Sequence, residues 1–98
     1  MPAYLFQIEL PAMTQEMANL IPEHRDLIDK LFIEARMLSY SVSSTRDQIW
    51  CVVDADDEKE AMEIVSGFPL RKFFVDVSCH QLLLHNNNPS PLPEISLN

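Results

Sequence analysis

The sequence predicts an α+β domain of ferredoxin-like plan: a four-stranded antiparallel sheet with two helices on one face. Three observations carry that expectation. Segments of alternating apolar and polar residues open and close the chain, at 4–10 and 73–84. A long amphipathic stretch follows the first of them, and a short, acid-led one precedes the last. Between the two helical stretches lie two strand-like runs joined by a turn too short for anything but a hairpin. The order is therefore β-α-β-β-α-β.

Tyr4, Phe6, Ile8 and Leu10 fall on one side of the first segment and Leu5, Gln7 and Glu9 on the other, which is a half-buried strand ended by Pro11. Thr14 is placed to cap a helix whose first turn holds Gln15 and Glu16. Pro22 interrupts the pattern, so either a short helix over 14–20 precedes a new one or a single helix kinks there. Leu20, His24, Leu27, Ile28, Leu31 and Phe32 then form an apolar stripe opposite Glu23, Asp26, Asp29 and Lys30. Residues 38–44 and 49–53 read as strands around the turn Thr45-Arg46-Asp47.

The acids from Asp54 to Glu60 are ordinary helix-start chemistry: they favour the positive end of the helix dipole, and Asp57 with Glu60 resembles a capping box. Gly67 is expected at the helix C-terminus in the left-handed conformation, with Pro69 just beyond. The segment 73–84 is expected to be the longest strand. Residues 1–85 are read as one domain and 86–98 as an extended, Pro- and Asn-rich tail.

The strand alternation divides the sheet residues into two sets. Phe6, Ile8, Tyr40, Val42, Trp50, Val52, Val75 and Val77 are expected under the helices. Gln7, Glu9, Ser41, Ser43, Cys51, Val53, Asp76, Ser78 and His80 are expected on the open face, joined by Leu5, Phe74 and Leu82. That second face is too apolar to be simply solvated and too polar to be a dry core, which suits a homodimer closing sheet to sheet over a partly polar cavity.

Ninety-eight residues with a net charge of −8 form one acidic domain. The acidity speaks against nucleic acid and anionic membranes as partners, since both require a basic face. Cys51 and Cys79 sit in apolar runs and are read as free thiols in a reduced, cytoplasmic protein. No apolar run reaches the length of a membrane span. The sequence shows no nucleophile motif, phosphate loop or ligand-spaced His/Cys cluster.

The stretch Gly67-Phe68-Pro69-Leu70-Arg71-Lys72-Phe73-Phe74-Val75-Asp76-Val77 resembles the muconolactone Δ-isomerase family, whose members show a short apolar-Pro-Leu turn before an aromatic-rich last strand. The element order extends the resemblance over about residues 4–88, while the motif itself covers about 67–80. The first helix and the hairpin depart from the characterised enzyme, so the chain looks like a branch apart from it. The resemblance implies a dimeric α+β barrel of ferredoxin-like protomers, assembled further into larger homo-oligomers. It also implies a small-molecule site near the sheet and the dimer interface, used for proton shifts on an unsaturated lactone without a cofactor.

Such chemistry needs an acid or base and a group that stabilises an enolate-like charge. His24, on the helical stripe, and His80 and Glu9, on the mixed sheet face, are the candidate proton carriers. Histidine titrates near neutrality, and partial burial would raise a carboxyl into a useful range. Arg25, Tyr40, Trp50, Arg71 and Asp76 are the candidate ligand-binding residues, with Arg71 and Lys72 the only adjacent basic pair. For each the structural alternative stands beside the functional one: a core-edge histidine for His24, an interface histidine for His80, a rim ion pair for Glu9, core filling for Tyr40 and Trp50. Two other functions share the same plan, a non-catalytic dimer that binds a small hydrophobic acid and a cofactor-free oxygenase. If the mixed face closes over a pocket lined by two or more of Glu9, His24, His80 and Arg71, the enzyme is favoured.

Overall fold

The computed structural model describes residues 2–85. Its elements are β1 (Ala3–Glu9), α1 (Gln15–Ile33), β2 (Met37–Val42), β3 (Gln48–Asp54), α2 (Glu58–Ser66), a 3₁₀ turn (Arg71–Phe73) and β4 (Asp76–Leu82). The sheet is antiparallel throughout, in the order β2-β3-β1-β4, so β1 and β3 are central and β2 and β4 are edges. The expected ferredoxin-like plan is the one observed. The expected tail, 86–98, lies outside the described residues.

Local chemistry explains the helix boundaries. The Thr14 hydroxyl accepts a hydrogen bond from the Met17 N–H at 3.2 Å, and Asp57 does the same for Glu60 at 2.8 Å. Glu60 reaches back, as in a capping box displaced by one residue, to accept from the Asp56 N–H. It also pairs with Arg36 at 2.7 Å, which ties α2 to the start of β2. Pro22 lies inside α1, so the two alternatives for that region resolve to one continuous helix. Met17, His24, Ile28 and Leu31 are its buried face.

The single glycine does not have the expected conformation. Gly67 caps α2 at φ −85, and an added Cβ would meet the Ile64 carbonyl at an ordinary 3.4 Å. Positive φ occurs instead at Ala35 (φ 59) and Arg46 (φ 64). Ala35 closes α1: its N–H donates to the Phe32 carbonyl and the Arg36 N–H to that of Leu31, the wrap that glycine usually makes. Its Cβ is unfavourable there. Ala35→Gly is therefore expected to raise the unfolding free energy by about 0.5–1 kcal/mol. Urea denaturation checks this, and an unchanged or lowered midpoint would count against strain at Ala35.

Two expectations about the sheet are corrected. The last strand is shorter than 73–84, because Arg71–Phe73 form a 3₁₀ turn and Phe73 and Phe74 pack onto the core from it. Val75 is 59% exposed and enters no strand, although its N–H donates to the Glu9 carbonyl. The faces of β3 are the reverse of those expected. Tyr40 pairs with Cys51 and Val42 with Ile49, which puts Ile49, Cys51 and Val53 under the helices and Trp50 and Val52 on the open face. Residues 49–53 are all apolar, so the run contains no alternation from which its phase can be read. Phe74, expected on the open face, instead packs on the core against Phe68, and Val75, expected under the helices, is exposed, because both precede β4 and follow the 3₁₀ turn. Within the strands the open face carries Glu9 opposite Asp76, Gln7 opposite Ser78 and Leu5 opposite His80, as expected.

Candidate functional site

A cleft of about 330 Å³ opens between the N-terminal half of α1, the edge strand β2 and the β2–β3 turn. Leu10, Met13, Ile21, Val42, Ile49 and Leu70 make its apolar lining, and its polar groups come from His24, Arg25, Tyr40 and Arg46. His24 projects from the buried stripe of α1 toward β2, where the phase of the strand turns Tyr40 to the same side of the sheet. Their Nε2 and Oη atoms are 2.8 Å apart, a hydrogen bond linking helix and sheet.

His24 is 3% exposed, and its ring meets that of Phe68 edge-on at 5.4 Å. Among the described residues Nδ1 is buried with no hydrogen-bond partner. Burial disfavours the imidazolium and pulls its pKa from 6.5 to about 4, so the ring is neutral at pH 7. Tyr40 is pushed up to about 12, first by burial and then by the nearby Cys51, and keeps its proton.

The pair has two proton arrangements. With the proton on Nδ1, the Tyr40 hydroxyl donates to Nε2. With it on Nε2, the ring donates to Oη, and the hydroxyl hydrogen is free to turn toward the cleft. In both, one nitrogen and one hydroxyl share a hydrogen bond at an apolar wall where water competes poorly. The pair also faces a second cleft, of about 180 Å³, lined with Ile28, Asp29 and Phe32.

Of the residues expected to act, the structure brings together His24, Arg25 and Tyr40. Glu9, His80, Asp76 and Trp50 stand on the open sheet face instead, and Arg71 is exposed on the 3₁₀ turn. Within one chain, His24 alone of Glu9, His24, His80 and Arg71 lines the cleft, which opens beside α1 and not on the mixed face, so the condition set for the enzyme is not met there. Arg46 was not foreseen as a site residue. Its only signal was its place in the turn of a hairpin whose end faces α1, and turn composition says nothing about what the turn is near. Among the described residues, no group of three His, Cys, Asp or Glu side chains is placed to hold a metal ion, and no helix is long and apolar enough to cross a membrane.

In fold the chain is a ferredoxin-like α+β domain. It resembles two solved structures at a TM-score of 0.67. One is muconolactone isomerase, at 15% identity over 93% of this chain and 97% of that one. The other is 5-chloro-2-hydroxyhydroquinone dehydrochlorinase from Burkholderia phenoliruptrix AC1100, in complex with 2,5-dihydroxybenzoquinone, at 13% identity over 84% and 93%. MtbAldR is similar at a TM-score of 0.56 and 12% identity, over 91% of this chain and 57% of its own. No protein-family model matches the sequence, and no curated protein matches it. The similarity to muconolactone isomerase that the Gly67–Val77 stretch suggested thus holds at the level of the fold.

Proposed function

We propose that the protein is a cofactor-independent isomerase of a small unsaturated lactone or acid, working by proton transfer in the cleft beneath α1. The observation that carries this reading is the His24–Tyr40 pair at the wall of an otherwise apolar cleft. A proton leaves the γ-carbon of the conjugated lactone, its electron pair is delocalised through the double bond onto the carbonyl oxygen as a dienolate, and a proton returns at the carbon beside the carbonyl. Neutral His24 takes and returns the proton by way of the Tyr40 hydroxyl, which passes its own proton to Nε2 as it accepts the one from carbon. Solved proteins of the same fold include an isomerase and a dehydrochlorinase, which supports the reaction class by analogy of fold alone.

A second reading, binding without turnover, is supported by the same imidazole: a group with a pKa of about 4 is a weak base for a carbon acid. Self-association belongs to the opposite face. Leu5 and Trp50 lie there among polar neighbours, which favours a homodimer through the sheet, extended to larger homo-oligomers. The two free thiols fit a reduced, cytoplasmic setting.

Turnover of muconolactone, followed for the wild type, His24→Ala, Tyr40→Phe and His80→Ala, tests the enzyme. We expect kcat/KM to fall by about 10²–10³ for the first two variants and to hold for the third. An inactive wild type that still binds muconolactone would replace the isomerase with the binding protein. Gel filtration tests the assembly, and a stable monomer would exclude the sheet-paired dimer.

A further inference from the structure

We infer that Arg46, on the β2–β3 turn, and Arg25, on α1, hold a carboxylate of the ligand between them at the cleft mouth, with Arg46 setting the preference for an acid over its neutral counterpart. The inference rests on the cleft being the ligand site, as proposed above, but not on any turnover there.

The two guanidinium-bearing residues approach the same cleft from different elements, and the rest of its lining is apolar apart from the His24–Tyr40 pair. The histidine brings no charge at neutral pH, so the charge of the site comes from the arginines alone. Neither arginine is ion-paired among the described residues. Arg36 and Lys72, by contrast, are held by Glu60 and Glu16, so the guanidinium groups of Arg25 and Arg46 keep their donors for a ligand.

The turn supports Arg46 in particular. Its backbone sits at φ 64, a conformation unfavourable for a side chain with a Cβ. It is kept there by the Arg46 N–H donating to the Ser43 carbonyl and by a network in which the Ser43 and Thr45 hydroxyls donate to Asp47 Oδ1. The acid nearest in sequence to Arg46 is thus occupied by hydroxyls. Arg25 is less committed, since it also borders the shallow clefts that contain Asp26 and Asp29. This asymmetry makes Arg46 the stronger determinant. A planar guanidinium presents paired donors that match a carboxylate, and on a mouth leading to apolar walls the anion is drawn outward while the body of the ligand is buried.

Amide chemical-shift titration of the full chain at pH 7 and low salt tests this, with benzoate and its neutral isostere benzamide as probes. Benzoate should perturb residues around His24 and Tyr40 and bind about tenfold more tightly than benzamide. Arg46→Gln should bring benzoate to the level of benzamide while leaving benzamide unchanged, Arg46→Lys should keep part of the preference, and Arg25→Gln should lose less. Equal binding of the two probes by the wild type, or a preference that survives Arg46→Gln, would overturn the clamp and leave the cleft intact. Perturbation of the cleft by neither probe would overturn the clamp and the cleft together.

Discussion

Replacing Phe6 with alanine is expected to lower the unfolding free energy by about 3–5 kcal/mol, a large share of the 5–15 kcal/mol typical of a domain. Phe6 is fully buried at the middle of the central strand β1, directly between Cys51 of β3 and Cys79 of β4. Its neighbours in the sheet are held by ladders on both sides, so they cannot collapse into the space the ring leaves. The loss therefore contains a cavity contribution as well as the transfer of the ring to water. Urea denaturation should show a lower midpoint at unchanged slope. A loss below about 1 kcal/mol would mean that the two-layer core is not organised around this side chain.

Acidification should destabilise the protein through His24. The imidazole titrates near 6.5 when unfolded and near 4 when folded, so between those values the unfolded chain holds a proton that the folded chain lacks. The stability that depends on a neutral His24 is fully present above about pH 6.5 and declines as the pH falls toward 4, by on the order of 3 kcal/mol in total. Asp47, held below its usual range chiefly by the Thr45 and Ser43 hydroxyls, loses stability in the same direction at lower pH. The contribution of the histidine is isolated by comparison with His24→Gln, whose unfolding free energy should change less between pH 6.5 and 4.5. Parallel pH profiles for the two proteins would show that His24 is protonated in the folded state or readily solvated.

The plan of the chain was readable because its signals are local and redundant. Alternation in β1, the Thr14 and Asp57 caps and the short turn at 45–47 each point to the observed elements. What escaped reading was phase and end geometry. Residues 49–53 offer five apolar side chains to two faces, and only the pairing with β2 decides that Cys51 enters the core and Trp50 does not. Gly67 looked like a left-handed cap because glycine usually is one, yet Ala35 and Arg46 carry that conformation under the constraint of neighbouring hydrogen bonds.

The site was half visible for the same reason. His24 on an apolar helical stripe was evident, and so was Tyr40 on a strand. Their contact, sixteen residues apart in sequence, depends on how α1 crosses the sheet. Arg46 joins them only through that crossing. His80, Asp76 and Glu9 share a strand face with one another and lie across the sheet from the cleft.

Tyr40 and Val42 belong to β2, which is hydrogen-bonded to β3 on one side and, among the described residues, to no strand on the other, and whose register shifts between Met37 and Ser39. The cleft beside His24 is thus walled by the margin of the sheet rather than its centre. An edge strand opens at a smaller free-energy cost than the interior ladder, so the cleft can widen by local fraying of β2 while β1, β3 and the core around Phe6 stay closed.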